Sequence, residues 1–154
     1  MSAPHSTERA RSGQSGRVSA IGEKWWRACF RVSSDRLSTS EITACLGVEP
    51  SSAQDKGARV ADRPDAYVLP VAVWRLDSGR ASDDPLDLHL SSLLEMLELR
   101  ADAVRSLRDS GCTVEFFTGF GSENGQGGVM LDARILGRIA SLGIDLSLDL
   151  YPPG

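Results

Sequence analysis

Residues Lys24–Val32 read KWWRACFRV. Trp26, Ala28, Phe30 and Val32 fall on one side of an extended chain, and Trp25, Arg27, Cys29 and Arg31 on the other. Side chains of a strand alternate between the two faces of its sheet. This stretch therefore predicts a strand with one buried side and one open side carrying arginine and tryptophan.

The same alternation returns further along. Val71–Asp77 (VAVWRLD) predicts a second strand, whose facing the sequence leaves open, and Cys112–Phe120 (CTVEFFTGF) a third. Ile144–Leu150 predicts the last, with Ile144, Leu146, Leu148 and Leu150 inward and Asp145, Ser147 and Asp149 outward. Asn124-Gly125 is a hairpin signal, so Gly128–Leu131 is expected to return as a short strand.

Between the strands the apolar spacing changes to three and four residues. Ser38-Thr39-Ser40-Glu41 is a capping box opening a short helix, which Gly47 stops. Asp84-Pro85 is read as an N-cap and a first-turn proline ahead of a helix over Leu86–Asp109. Its stripe is Leu86, Leu90, Leu93, Leu94, Leu97, Ala101 and Val104. Leu88 and Leu99 lie off that stripe, which predicts a bend near Leu99–Asp102. Asp132 caps a final helix that ends at Gly143.

Strands with one apolar and one polar face suit a mainly antiparallel sheet covered on one side by helices. The expected fold is thus α+β, a ferredoxin-like or related two-layer sandwich of four to five strands. Residues 1–22, rich in Ser, Gly and Arg, predict a disordered tail ahead of a single domain over 23–152.

Composition narrows the function. The chain has 154 residues, 41% hydrophobic and 25% charged, ordinary for one globular domain. Cys29, Cys45 and Cys112 are widely spaced, and the only histidines are His5 and His89, so a four-ligand zinc site is not expected. Buried free thiols, no apolar run of bilayer length and no signal-peptide core point to the cytoplasm. Residues 1–36 carry seven Lys/Arg against three acids, but the whole chain is at −4. An acidic body disfavours nucleic acid, whose phosphates need clustered positive charge.

Longer patterns carry a resemblance. Ser40-Glu41-Ile42-Thr43, Leu46-Gly47-Val48-Glu49-Pro50, Gly57, Trp74-Arg75-Leu76-Asp77-Ser78 and Leu142-Gly143-Ile144 running to Leu146, Leu148, Asp149 and Tyr151 resemble a bacterial family catalogued only as a domain of unknown function. The resemblance spans about residues 26–152. It implies a small bacterial cytosolic protein and assigns no catalytic residue. Where that family continues from Pro50 with threonine and basic residues, this chain has Ser51-Ser52-Ala53-Gln54-Asp55, leaving Lys56 and Arg59 as the basic residues of the loop.

The glycine-rich run Gly119–Gly128 lacks the Lys-Ser/Thr of a phosphate loop, and Asn124 stands where the dinucleotide fingerprint needs glycine. It reads as a hairpin tip. His89, beside Ser91 and Ser92, reads as a surface or boundary histidine, and Cys29, between Arg27 and Arg31, is the one cysteine with a basic setting. Asp145 and Asp149 stand about 13 Å apart along one strand, too far to share a metal.

The informative surface is the open sheet face, expected to present Trp25, Arg27, Arg31, Glu115, Phe117, Asp145 and Asp149, with Arg75 depending on how the second strand is faced. Its bland reading is a solvated face with cross-strand ion pairs. Its functional reading is recognition, because Trp, Phe and Arg concentrate at interface hot spots. The expected function is a non-enzymatic module that binds another protein, with an immunity-type or regulatory role by analogy and no cofactor. The alternative is a small-ligand sensor or enzyme with a site between loop 48–70 and hairpin 119–128.

Overall fold

The computed structural model describes residues 24–152. The tail expected over 1–22 lies outside them. The order is β1 (Lys24–Ser34), α1 (Thr39–Leu46), β2 (Ser52–Gln54), β3 (Ala72–Asp77), α2 (Leu86–Glu98), α3 (Ala101–Asp109), β4 (Thr113–Ser122), α4 (Ala133–Leu142) and β5 (Asp145–Tyr151).

One five-stranded sheet runs β2-β3-β1-β4-β5. β1 is antiparallel to both β3 and β4, β2 is antiparallel to β3, and β4 and β5 are parallel. The protein is α+β, with a mostly antiparallel mixed sheet. Its connectivity is the related two-layer kind rather than the ferredoxin-like one. β4 and β5 flank α4 and pair directly, whereas the split βαβ unit keeps another strand between such partners.

Local signals set most helix ends. Ser38 Oγ accepts the Glu41 N–H at 3.2 Å, and Glu41 Oε2 accepts the Ser38 N–H at 2.8 Å. Gly47 closes α1 at φ 69°, a left-handed conformation that costs glycine little. Asp132 Oδ1 accepts the Ile135 N–H at 2.8 Å at the start of α4.

The core lies between the sheet and the helices. Phe30, Val32, Trp74 and Phe116 rise from the sheet to meet Ile42, Leu90, Leu94, Leu97 and Val104, all buried in one cluster. Phe30 packs edge-on against Trp74 and Phe116, at centroid distances of 6.2 and 6.1 Å. The Trp74 indole N–H donates to Thr43 Oγ1 at 2.9 Å, so its burial leaves no donor unpaired.

Four sequence expectations change. The Leu86–Asp109 helix breaks outright between α2 and α3. Arg100 holds the break by donating to the Leu46 carbonyl at 3.0 Å and the Met96 carbonyl at 3.1 Å. Pro85, not Asp84, is the N-cap of α2, and no side chain caps it. No strand forms over Gly128–Leu131, because β1 and β5 already occupy both sides of β4 and leave no edge for a returning strand. The strand β2 inside the 48–70 loop carries too few apolar residues to be seen in the sequence.

The last strand departs further. Leu146, Leu148 and Leu150 lie opposite Phe116, Thr118 and Phe120 on the helix side, as alternation requires. They are nevertheless 37%, 51% and 62% exposed, because β5 is an edge and the helical layer thins out along it.

Candidate functional site

Strand register gathers the polar residues of the sheet on the side away from the helices. Arg31 pairs with Arg75 on β3 and with Glu115 on β4, and Glu115 pairs with Asp145 on β5. Phe117 stands opposite Cys29, Arg27 opposite Gly119, and Gly119 opposite Asp149. Trp25 stands opposite Gly121, which is paired with Tyr151. Trp25, Arg27, Arg31, Arg75, Glu115, Phe117, Asp145 and Asp149 therefore share one face, and the facing of Arg75 is resolved.

Contacts divide this face in two. At its centre Arg31 forms an ion pair with Glu115, its Nε 2.6 Å from Oε1, while Glu115 Oε2 accepts from Ser147 Oγ at 2.6 Å. The Arg31 guanidinium also lies over the Phe117 ring at 4.1 Å, with that of Arg75 at 5.7 Å. This is the cross-strand pairing expected of a solvated sheet, reinforced by cation–π contact.

Towards the start of β1 the face is aromatic. Trp25 and Tyr151 lie 5.1 Å apart, tilted by 50°, and the Arg27 guanidinium sits 4.6 Å from the Trp25 ring. Glycines make room for them. A Cβ on Gly121 would overlap the Trp25 indole, and one on Gly119 would lie 3.2 Å from its Cζ3 and 3.5 Å from Tyr151. Gly119 and Gly121 belong to β4, so the glycines read as a hairpin tip begin inside the sheet.

A cleft of about 850 Å³ opens between these halves, within the range of small-ligand pockets. Trp25, Phe117 and Tyr151 supply its apolar lining, and Arg27, Arg75 and Arg80 its positive charge. Among the described residues the ion pairs within 4.0 Å use Arg31, Arg63, Arg105 and Arg138 and none of the three cleft arginines, and Asp77 is the one acid in the lining. Cys29 also lines the cleft, but burial pushes its thiol pKa up, with Arg75 the largest opposing influence. Its arginine neighbours do not make it a nucleophile. Cys45, expected to be buried, is exposed.

One wall of the cleft is held by an unforeseen pair. His89 is buried, at 2% exposure, and its Nδ1 lies 2.6 Å from Ser78 Oγ. Its Nε2 is 3.1 Å from the Asp84 carbonyl, which can only accept. Nε2 therefore donates to that carbonyl, and in the neutral ring Nδ1 accepts from Ser78. Ser78 Oγ in turn accepts the Arg80 N–H at 3.2 Å, and the Ser82 carbonyl accepts the Trp26 N–H at 2.8 Å. With every polar atom of the pair engaged, His89 staples the 78–84 loop to α2. Ser91 and Ser92 do not meet it, and Ser92 accepts from Arg80 Nε at 2.8 Å instead. The signal was present in the sequence, since Leu86, His89, Leu93 and Leu97 follow one helical stripe.

Loop 48–70 and the glycine-rich segment do not meet. β2 and Leu69 border a separate hollow with Ser33 and Val73, while Gly121 and Ser122 pair with Trp25 and Lys24 at the other end of β1. About nine residues of extended strand, roughly 30 Å, separate the two ends. No group of three or more His, Cys, Asp or Glu side chains fit to hold a metal occurs among the described residues, and no helix there is long and apolar enough to cross a membrane.

Sheet, helical layer and glycine-relieved aromatic face define a two-layer α+β domain whose open side is both aromatic and charged. A family model described as "Domain of unknown function (DUF4279)" matches residues 24–153, and the chain belongs to that family. No curated protein and no solved structure matches it.

Proposed function

We propose that this domain is a non-enzymatic, cytoplasmic binding module that takes an acidic segment of another protein onto its open sheet face. The observation that carries this reading is the cleft. Arg27, Arg75 and Arg80 have no carboxylate partner among the described residues, and they surround a floor of Trp25, Phe117 and Tyr151. Such aromatic–arginine clusters are where binding energy concentrates at interfaces. Glu115, Asp145 and Asp149 lie on the same face outside the cleft lining, so an extended nucleic-acid backbone would meet them while a short acidic segment seated over the three arginines would not. A regulatory or immunity-type inhibitor role fits this chemistry by analogy. The volume of the cleft favours one second reading, a small anionic metabolite in the same place.

The test is affinity capture with the tagged chain from its native cells, run beside Trp25→Ala and Arg75→Ala. A stoichiometric partner held by the parent chain and weakened by each variant, with a loss of about 2 kcal/mol or more, supports the reading. A partner held equally by all three overturns it. No partner, with a melting temperature raised by one anionic metabolite, moves the assignment to the second reading.

A further inference from the structure

The two edges of the sheet are managed differently. At one edge β2 is three residues long, polar and exposed, as natural edge strands usually are. At the other, β5 is seven residues long, carries Leu146, Leu148 and Leu150 on its helix side, and has neither lysine nor proline before Pro152. Exposure of those leucines rises from 37% to 62% along the strand. A long, regular, apolar edge is a template for another strand.

The free edge also has its hydrogen-bonding groups in step with the leucines. The Ser147 carbonyl lies on the β4 side, where it accepts from Thr118 Oγ1 at 2.7 Å. Backbone groups alternate sides along a strand, so those of Leu146, Leu148 and Leu150 point to the open edge.

We propose that β5 pairs with β5 of a second copy, antiparallel about a two-fold axis at Leu148, to make one continuous sheet. This register follows from charge together with pairing of the whole strand. With Leu148 opposite itself, Leu146 meets Leu150, Ser147 meets Asp149, and Asp145 meets Tyr151. All seven residues pair, the leucines form one apolar ladder, and no aspartate stands opposite an aspartate. An axis at Ser147 sets Asp145 against Asp149, and one at Asp149 sets that residue against itself. Like charges directly opposed destabilise a ladder. The interface is isologous, as a closed dimer requires.

The experiment is light scattering on the full chain across the micromolar range, with Leu148→Glu, Leu148→Lys and their equimolar mixture. The expected result is twice the chain mass for the parent protein. Each variant alone gives the chain mass with unchanged circular dichroism, and the mixture returns to the doubled mass because glutamate then faces lysine at the axis. A monomeric parent chain overturns the proposal, and means that another part of the chain or a different protein covers the stripe. A dimer indifferent to both variants overturns it as well, and monomers that stay monomeric on mixing overturn the register. If either variant loses its circular dichroism, Leu148→Thr, which fits a strand and removes most of the apolar surface, takes its place. A Leu148→Thr dimer as tight as the parent overturns the proposal, and a weaker one supports it.

Discussion

β1 and β5 carry the same alternating pattern in the same sheet, and their apolar sides have opposite fates. Ala28, Phe30 and Val32 of β1 are no more than 5% exposed, while Leu148 and Leu150 of β5 are more than half exposed. Both strands obey a period of two. They differ in their neighbours: β1 lies between β3 and β4 beneath α2, and β5 has one strand beside it and no further strand of the described residues beyond. Alternation therefore says which residues share a side. Whether that side is covered depends on position in the sheet, which is a property of the whole fold.

The strongest way to break this comparison is to truncate each strand and measure stability by urea unfolding. Phe30→Ala removes a ring packed against Trp74 and Phe116, and an expected loss of about 3–5 kcal/mol follows from the cavity left behind. Leu150→Ala, made in the Leu148→Glu background to remove self-pairing, is expected to cost less than about 1 kcal/mol. Similar losses at the two positions would mean that β5 is as deeply packed as β1, and the contrast would disappear.

What could be read in advance follows the same line. Ser38 with Glu41, Gly47, Asp132 and Gly143 act on neighbours within a few residues, so their helix boundaries were legible. Seven of the eight residues of the open face were legible too, because period two sorts each strand by itself. Three things were not. The facing of Arg75 depends on its pairing with Arg31, and the partner of His89 sits in a loop that closes only once α2 packs on β1. The third is the purpose of Gly119 and Gly121, which accommodate a tryptophan from a strand far away in the chain. Each of these is a contact outside the residue's own strand or helix.

That third case gives a sharper test, because one substitution should have opposite signs at two glycines. At Gly121 a Cβ collides with the Trp25 indole, so Gly121→Ala is expected to push the indole off the sheet. The expected loss is about 1–3 kcal/mol by overpacking, with Trp25 fluorescence shifting as the ring is hydrated. At Gly137, inside α4, a Cβ meets nothing within 4 Å. Gly137→Ala should stabilise the domain by about 0.5–1 kcal/mol through helix propensity. A neutral Gly121→Ala would show that the aromatic half of the open face is loosely seated and not shaped by its glycines.

The smallest effect concerns the open side of β5, where Tyr151 meets Trp25. Asp149, two residues away on the same side of β5, pushes the Tyr151 phenol pKa up as an acceptor close to the phenol and through its negative charge, and Arg27 and Arg75 oppose it. Raising an acid's folded-state pKa means that the neutral phenol is favoured by folding. Its contribution to stability is therefore complete below the unfolded value of about 10, and is lost as pH rises through the folded one. Asp149→Asn removes the charge and leaves a weaker acceptor, so the phenol should titrate closer to its ordinary value. Phenolate absorbance in a Tyr67→Phe background, which leaves one tyrosine, reads this directly. A titration unmoved by Asp149→Asn would detach Tyr151 from Asp149. The open side of β5 would then be held by the Ser147–Glu115 hydrogen bond and by the tilted contact of Tyr151 with Trp25.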